Sequence, residues 1–190
     1  MPSPTKVKTG KFRSSYANVF VARAVNEGED PKYSITMLFD KGDPSLKDLK
    51  AAAKAAIAAK WGANPPKKLR SPFRDGDDPD EDRGEAYKGK VFIYASGKSK
   101  PGIVDGSTDR NSITSPEEFY SGCFARATVN AFAYDTKGNR GVSFGLNNLQ
   151  KLGDGERLDG HTSAEDDFDD YKSDSTDADD GSSSDDDLGL

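Results

Sequence analysis

Cysteine, histidine and tryptophan are nearly absent from this chain of 190 residues, which contains one of each. Cys123 has no second cysteine to pair with, so an internal disulfide framework is excluded. His161 and Cys123 are too few for a zinc site or for nucleophilic catalysis that depends on histidine. The composition therefore predicts no metal and no cofactor, and it disfavours the enzyme classes that need these residues.

Long apolar runs are also missing. No segment approaches the roughly 20 apolar residues that a membrane span requires, and Met1 to Gly10 lacks the apolar stretch of a secretory signal. Hydrophobic residues make up 33% of the chain, which is lean enough that part of it should contribute nothing to a core. We therefore expect a soluble cytoplasmic protein with no membrane partner and one compact domain plus appendages.

Positive and negative charges are separated along the chain. From Asp159 to Leu190 there are 13 acidic residues and one Lys, whereas residues 1–158 hold 26 Lys/Arg and 20 acidic residues. The acidic segment is rich in Asp, Ser and Gly and cannot bury enough surface to offset its ordering entropy. These differences predict a folded domain over residues 1–158 and a disordered acidic tail over residues 159–190.

Alternating apolar and β-branched residues predict about five strands, over residues 15–25, 32–39, 90–95, 122–134 and 141–149. Asp43-Pro44 begins one substantial helix, which continues to about Trp61 and ends at Gly62. Most strands are antiparallel neighbours joined by short turns. The inventory therefore predicts a mainly β fold, an OB-fold-like small antiparallel β-barrel with one α-helix, rather than a parallel α/β sheet.

An acidic cluster from Asp75 to Asp82 invites comparison with a calcium-binding loop. If Asp78 is taken as the first position, Arg83 stands where the loop needs glycine and Gly89 stands where it needs a bidentate glutamate. The cluster is therefore better explained as a solvated acidic loop, and no metal site is predicted.

Cations alternate with aromatic residues along the predicted domain. Binding of single-stranded nucleic acid without sequence preference needs this combination, because cations neutralise phosphates while rings accept stacked bases. In the strand over residues 122–134, a period of 2 puts the aromatic and Arg side chains on one face and alanines on the other. The candidate DNA-binding residues are Lys11, Arg13, Tyr16, Lys90, Phe92, Tyr94, Lys98, Lys100, Arg126, Phe132 and Tyr134. The alternative is that rings such as Phe132 fill the barrel while the alanines face outward.

The acidic tail supplies a second functional argument. A flexible polyanion tethered beside a basic groove has a high effective concentration there, so it can occupy the groove until DNA displaces it. The tail ends in acidic and apolar residues that suit a basic-rimmed hydrophobic pocket on another protein: Asp185, Asp186, Asp187, Leu188 and Leu190. The alternative is a solubilising tail that contacts nothing.

Four long segments carry a resemblance to a known family, namely GKFRSSYANVF, GKVFIYASGKSKPGIVD, FYSGCFARATVNAFAYDTKGNRGVSFGLNNLQKLGDGE and LDGHTSAEDDFDD. Over residues 8–170 the chain resembles the bacteriophage single-stranded DNA-binding proteins with an OB fold, which are related in plan to the T7-type proteins with acidic C-terminal tails. T7-type tails end in an aromatic residue, whereas this chain ends in Leu188-Gly189-Leu190.

The resemblance implies a non-enzymatic binder of single-stranded DNA that serves phage DNA replication, recombination and repair in the cytoplasm of the infected bacterial host. It implies that the tail recruits phage or host replication and recombination proteins. It also suggests a homodimer, because a short strand left at an edge of the barrel invites pairing.

Two other functions are compatible with the composition. The first is an adaptor whose acidic tail and loop bind basic replication or repair proteins, with little direct affinity for DNA. The excess of positive charge over residues 1–158 argues mildly against it. The second is a metal-dependent nuclease, which would need Asp and Glu residues converging on one pocket, whereas the acidic residues cluster between Asp75 and Glu85 and in the tail.

Overall fold

Strands dominate the computed structural model, which describes residues 3–160 of the chain. The strands are β1 (Lys6–Lys8), β2 (Phe12–Arg23), β3 (Lys32–Asp40), β4 (Arg74–Asp75), β5 (Lys90–Gly97), β6 (Gly102–Val104), β7 (Phe124–Thr136) and β8 (Asn139–Gly153). One α-helix, α1 (Ser45–Trp61), follows β3, and a 3-10 helix (Glu85–Tyr87) precedes β5. Within residues 3–160, no helix combines the length and apolarity that crossing a membrane requires.

Five of these strands close into a ring. β7 pairs with β2, β2 with β3, β3 with β5, β5 with β8, and β8 pairs back with β7. This arrangement confirms the predicted fold class, mainly β with one substantial helix. Outside the ring, β6 pairs parallel with β8. Within the ring, one pairing also differs from the antiparallel prediction, because β5 and β8 run parallel where Ala95 lies opposite Phe144. The chain passes through β6 and β7 between these two strands, so β8 can return in the same direction as β5.

The helix α1 begins and ends where the sequence predicts. The Asp43 carboxylate accepts a hydrogen bond from the backbone N–H of Ser45 at 2.8 Å, which satisfies one of the free donors of the first turn. The helix ends at Gly62, whose φ of 61° places it in the left-handed region that favours glycine. Its buried residues include Leu46 and Leu49, and it packs against β7.

Large apolar side chains fill the inside of the ring. The Phe12 and Phe39 rings meet edge to face with centroids 5.6 Å apart, and Phe144 meets Phe73 in the same way at 6.0 Å. Val129 of β7 is fully buried in the same cluster. Burial of these side chains is the main favourable term that holds the strands in their closed order.

The connection between α1 and β5 covers one end of the sheet. Residues 64–87 are rich in proline and charge, which is typical of a long loop, but this segment contributes β4, which pairs with β5, and the 3-10 helix. Through this connection Tyr87 packs against Leu38 and Phe92 in a second, small apolar cluster. The connection therefore decides which outward-facing residues of β3 and β5 stay accessible.

Candidate nucleic-acid interface

Strand β7 presents its aromatic and Arg side chains outward. Ala125, Ala127 and Ala131 are buried, while Phe132 on the opposite face is 47% exposed. The alternation with period 2 therefore places the alanines in the core, and the interpretation in which Phe132 fills the barrel is wrong. A large exposed ring beside polar neighbours is a feature that base stacking requires.

Three outward-facing rings lie near one another, one on β5 and two on β7, and we call Tyr94, Phe132 and Tyr134 the aromatic face. Ser143 of β8 pairs directly with Phe132, and the parallel register of β5 with β8 brings Tyr94 alongside Ser143. Tyr94 is 38% exposed and lines a shared depression of about 620 Å³ with Tyr134. The face thus offers stacking surfaces on the two strands that flank β8.

Two glycines of β8 lie beside these rings. A Cβ atom built on Gly141 would lie 2.7 Å from the Tyr134 hydroxyl oxygen and 2.7 Å from the Arg70 carbonyl oxygen. A Cβ built on Gly145 would come within 4.0 Å of a ring carbon of Phe132. Gly141 therefore leaves the space that the Tyr134 phenol occupies, whereas a Cβ on Gly145 would make only ordinary van der Waals contact with Phe132.

Arginine and lysine side chains border the aromatic face. Arg70 and Arg74 line the same depression as Tyr94 and Tyr134. Arg70 also belongs to an adjoining recess of about 490 Å³ beside the β7–β8 turn, which we call the basic notch; its cationic residues are Lys68, Arg70, Lys137 and Arg140. The Arg140 guanidinium contacts the Asp135 carboxylate at 2.8 Å. Phosphates that follow bases across the face would therefore meet positive charge at its border.

A larger groove of about 970 Å³ lies along β2. We call it the Tyr16 groove, after the residue that projects into it, and its cationic lining residues are Arg13, Arg23 and Arg83. Tyr16 is 63% exposed and has a φ of 44°, unusual for a residue other than glycine. The β2–β3 register shifts between Ser15 and Asn18, and such a bulge re-aims the side chains next to it.

The guanidinium of Arg13 is fixed at the edge of the Tyr16 groove. It donates to the carbonyl oxygens of Gly122 at 3.4 Å and Glu156 at 2.8 Å. A built Cβ on Gly122, whose φ is 116°, would overlap the Glu156 carbonyl at 2.0 Å. The close approach of these two backbone segments therefore depends on glycine, and it holds the last described residues against β2.

The structure separates the candidate lysines. Lys11 lies 5.4 Å from the centre of the Phe124 ring, and Lys100 lies 5.9 Å from that of Phe20. Lys98 forms an exposed ion pair with Asp30 at 3.1 Å, and Lys90 pairs with Asp40. The lysines thus surround the ring of strands at several places, and exposed pairs of this kind are weak enough to exchange partners.

Two of the predicted DNA-binding residues, Phe92 and Arg126, are less accessible to solvent than the sequence indicated. Phe92 is 2% exposed and meets the Tyr87 ring edge to face at 5.2 Å, so it cannot offer a free face to a base in this structure. The reason is that the connection before β5 folds over it. Arg126 is partly buried and donates through Nε to the Gln150 side-chain oxygen at 2.7 Å.

Sequence reasoning missed Arg70, Arg74 and Arg83. All three belong to the charged connection over residues 64–87, and the sheet residues they approach are distant in sequence. The signal that could have found Arg70 and Arg74 is their position on either side of Pro72 and Phe73, whereas Arg83 stands in the acidic stretch with no such signal.

Ion pairs hold the acidic part of this connection in place. Lys41 lies 2.7 Å from a carboxylate oxygen of Asp75 and 2.6 Å from one of Asp77. These hydrogen-bonded contacts raise the pKa of Lys41 and lower the pKa of both carboxyl groups. Among residues 3–160, no three His, Cys, Asp or Glu side chains are grouped so that they could hold a metal ion.

The tail residues predicted to bind partner proteins lie outside the described residues. They are Asp185, Asp186, Asp187, Leu188 and Leu190. The described chain leads toward them along the Tyr16 groove, whose lining includes Glu156 and Leu158.

Comparison with known proteins identifies relatives of the whole folded part. The family described as the single-stranded DNA-binding protein of Enterobacter phage Enc34 matches residues 5–180. A protein named p50 from Acyrthosiphon pisum secondary endosymbiont phage 1 is 32% identical over 166 residues, which cover 82% of this chain and 87% of the relative. These matches confirm the family resemblance drawn from the sequence.

Solved structures share the fold. The single-stranded DNA-binding protein of bacteriophage Enc34 in complex with ssDNA has a TM-score of 0.69 at 23% identity, over 81% of this chain and 89% of that one. The T7 single-stranded DNA-binding protein gp2.5 has a TM-score of 0.55 at 13% identity, over 86% and 99% of the two chains. At these identities the superpositions establish the common fold.

Proposed function

The chain belongs to the Enc34 single-stranded DNA-binding protein family, a family of binding proteins rather than enzymes, and from that premise we propose that it binds single-stranded DNA without sequence preference. The observation that carries the proposal is the aromatic face, where Tyr94 and Phe132 lie exposed on the two strands that flank β8, and where Arg70 and Arg74 line the same depression as Tyr94. Rings accept any base, because every base has a π-face.

Base stacking would provide the short-range attraction. Each stacked base contributes about 1–3 kcal/mol when measured by removal of the ring. Ser143 lies between the strands that carry Tyr94 and Phe132, and its small side chain leaves both rings accessible. Tyr134 continues the face toward the basic notch.

Phosphate neutralisation would provide the long-range attraction. The basic notch shares Arg70 with the depression of the aromatic face, and the Tyr16 groove adds a second group of cations. A strand bound there displaces counterions, so affinity should fall with salt by about 0.7 logarithmic units per tenfold increase for each phosphate neutralised. Lys11, Lys90, Lys98 and Lys100 would add to this field from further around the domain.

The acidic tail would compete for the same surface. The last described residues line the Tyr16 groove, where the backbone N–H of Leu158 donates to the Ser121 carbonyl at 2.8 Å. A tail over residues 159–190 that starts from this position has its net negative charge tethered beside the cations of the groove. Residues 1–158 would form the binding domain, and DNA would release the tail.

The released tail would recruit phage or host proteins of DNA replication, recombination and repair inside the infected bacterial cell. A cluster of aspartates followed by Leu188 and Leu190 suits a basic-rimmed hydrophobic pocket on such partners. A homodimer would give the assembly two tails and two aromatic faces. Sedimentation of the full chain would measure that oligomeric state.

Fluorescence anisotropy of a labelled oligodeoxythymidine, measured over a salt series, tests the proposal. Submicromolar binding that weakens steeply with salt is the expected result for the full chain. An oligonucleotide of mixed sequence should bind with a similar affinity. Absence of binding at low salt, together with salt-sensitive binding of cationic proteins, would favour the adaptor function instead.

A further inference from the structure

Two arginines from the connection between α1 and β5 approach one buried ring. The Arg74 guanidinium lies 5.1 Å from the centre of the Phe92 ring, and the Arg83 guanidinium lies 4.9 Å from the same centre. Arg74 lines the depression of the aromatic face, whereas Arg83 lines the Tyr16 groove. The two arginines therefore stand where the two candidate surfaces meet.

A single carboxylate occupies the space between these arginines. One oxygen of Glu81 accepts a hydrogen bond from Arg74, and the other lies 3.5 Å from Nε of Arg83. All three side chains are between about one third and one half exposed, so solvent reaches the pair. An anion held by two guanidinium groups over an aromatic ring has the contacts that a phosphate group would make.

We propose that Arg74 and Arg83 form a phosphate subsite that joins the aromatic face to the Tyr16 groove, and that Glu81 occupies this subsite until nucleic-acid phosphate displaces it. The inference rests on the proposed function, since it assigns one phosphate of the bound DNA strand to the site between Arg74 and Arg83. It adds a competitor within the folded domain, separate from the acidic tail.

Contacts other than those of Glu81 hold the surrounding loop. The backbone N–H of Gly76 donates to the Lys90 carbonyl at 2.8 Å, and that of Gly89 donates to the Asp77 carboxylate at 2.9 Å. A Cβ on Gly76 would overlap the Tyr87 carbonyl oxygen at 1.9 Å, so the loop is closely packed there. Removing the charge of Glu81 should therefore leave the loop in place while freeing both guanidinium groups.

The Glu81→Gln variant of the full chain tests the inference. Exposed ion pairs are weak, so we expect oligodeoxythymidine to bind roughly two- to fivefold tighter at low salt. We also expect a steeper salt dependence, by up to about 0.7 in the logarithmic slope, because no freed carboxylate takes up a cation when phosphate binds. The same gain should appear with an abasic oligonucleotide, which has phosphates but no bases.

A matched control removes a neighbouring carboxylate of the same type. Glu85 lines the Tyr16 groove, as Arg83 does, but it pairs with Lys88 rather than with an arginine. Glu85→Gln should therefore change the affinity for DNA less than Glu81→Gln does. The double variant Arg74→Gln/Arg83→Gln should lose affinity and should make a further Glu81→Gln change neutral. Equal effects of Glu81→Gln and Glu85→Gln would overturn the inference.

A measurement on the unaltered protein covers the case in which Glu81→Gln disturbs the fold. Hydrogen bonding to Arg74 lowers the pKa of the Glu81 carboxyl group in the free protein. If phosphate displaces the carboxylate, carbon-detected NMR titration should find that this pKa rises when oligonucleotide is bound. An unchanged pKa in a complex that binds tightly would overturn the inference while leaving single-stranded DNA binding intact. Absence of any complex would instead count against the proposed function itself.

Discussion

The hydroxyl group of Tyr134 lies directly above the backbone of Gly141, so close that a Cβ on Gly141 would be only 2.7 Å from the phenol oxygen. The two residues are cross-strand partners on β7 and β8. The position of the Tyr134 ring on the aromatic face therefore depends on the missing side chain at Gly141.

The Gly141→Ala variant should be less stable and should bind oligonucleotide more weakly. The added methyl group meets both the phenol and the Arg70 carbonyl, and overpacking of this kind costs about 1–3 kcal/mol. Urea unfolding and anisotropy measure the two effects. Gly153→Ala on the same strand is the control, because nothing lies within 4 Å of its Cβ. Similar losses in both variants would contradict the packing argument.

Tyr94→Ala and Phe132→Ala should each weaken binding of oligodeoxythymidine by about 5- to 150-fold, since each removes one stacking ring. Both rings are exposed, so the fold should tolerate either change. Tyr94→Phe keeps the ring and should retain most of the affinity. Trp61→Ala, at the end of α1, removes an aromatic residue away from the face and should have little effect. Unchanged affinity in both alanine variants would remove the aromatic face from the interface.

The double variant Lys98→Glu/Lys100→Glu should bind more weakly and with a flatter salt dependence. The logarithmic slope should fall by roughly 0.7 for each phosphate that is no longer neutralised. A charge-matched control is Lys47→Glu/Lys54→Glu on the exposed side of α1. If affinity and slope match those of the unaltered protein, the segment after β5 lies outside the interface.

Deletion of residues 159–190 should tighten binding at low salt, because it removes a tethered competitor for the cations of the Tyr16 groove. The difference should shrink as salt screens the tail. Anisotropy with the full chain and with residues 1–158 measures it. Equal affinity at low salt would reject competition by the tail, while recruitment of partner proteins would still stand.

Acid should weaken the anchoring of the connection between α1 and β5. Hydrogen bonding to Lys41 lowers the pKa of Asp75 and of Asp77, so their contribution to stability is present above about pH 4 and is lost as pH falls through the folded-state values. Lys41 has a raised pKa, so its own contribution is lost only as pH rises through that value, in the alkaline range. The variant Asp75→Asn/Asp77→Asn should therefore show a shallower loss of stability between about pH 5 and pH 2 in urea unfolding. If the free energy of unfolding falls as steeply with pH in this variant as in the unaltered protein, the titrating groups lie elsewhere.

The sequence was sufficient for the elements whose pattern is local. Alternation along β7 predicts which residues share a face, and Asp43 and Gly62 mark the ends of α1. The three-residue strands β1 and β6 could not be predicted in this way, because each is ordered by a longer partner strand rather than by its own propensity.

The candidate site was harder to predict for a related reason. Alternation assigns Phe92 and Tyr94 to one face of β5, but it cannot say that Tyr87 arrives from the preceding connection and covers only Phe92. Arg74 and Arg83 reach the interface by the same non-local folding of that connection. Residues that enter a site from a long connection carry no periodic signal in the sequence.

Ultraviolet cross-linking of the full chain to oligodeoxythymidine, followed by mass spectrometry of the adducts, tests the role of the aromatic face most directly. We expect adducts on Tyr94 and Phe132, with further adducts on Tyr134 and Tyr16, and their loss on competition with unlabelled oligonucleotide. Adducts confined to Trp61 and other residues outside the aromatic face and the Tyr16 groove would contradict this role.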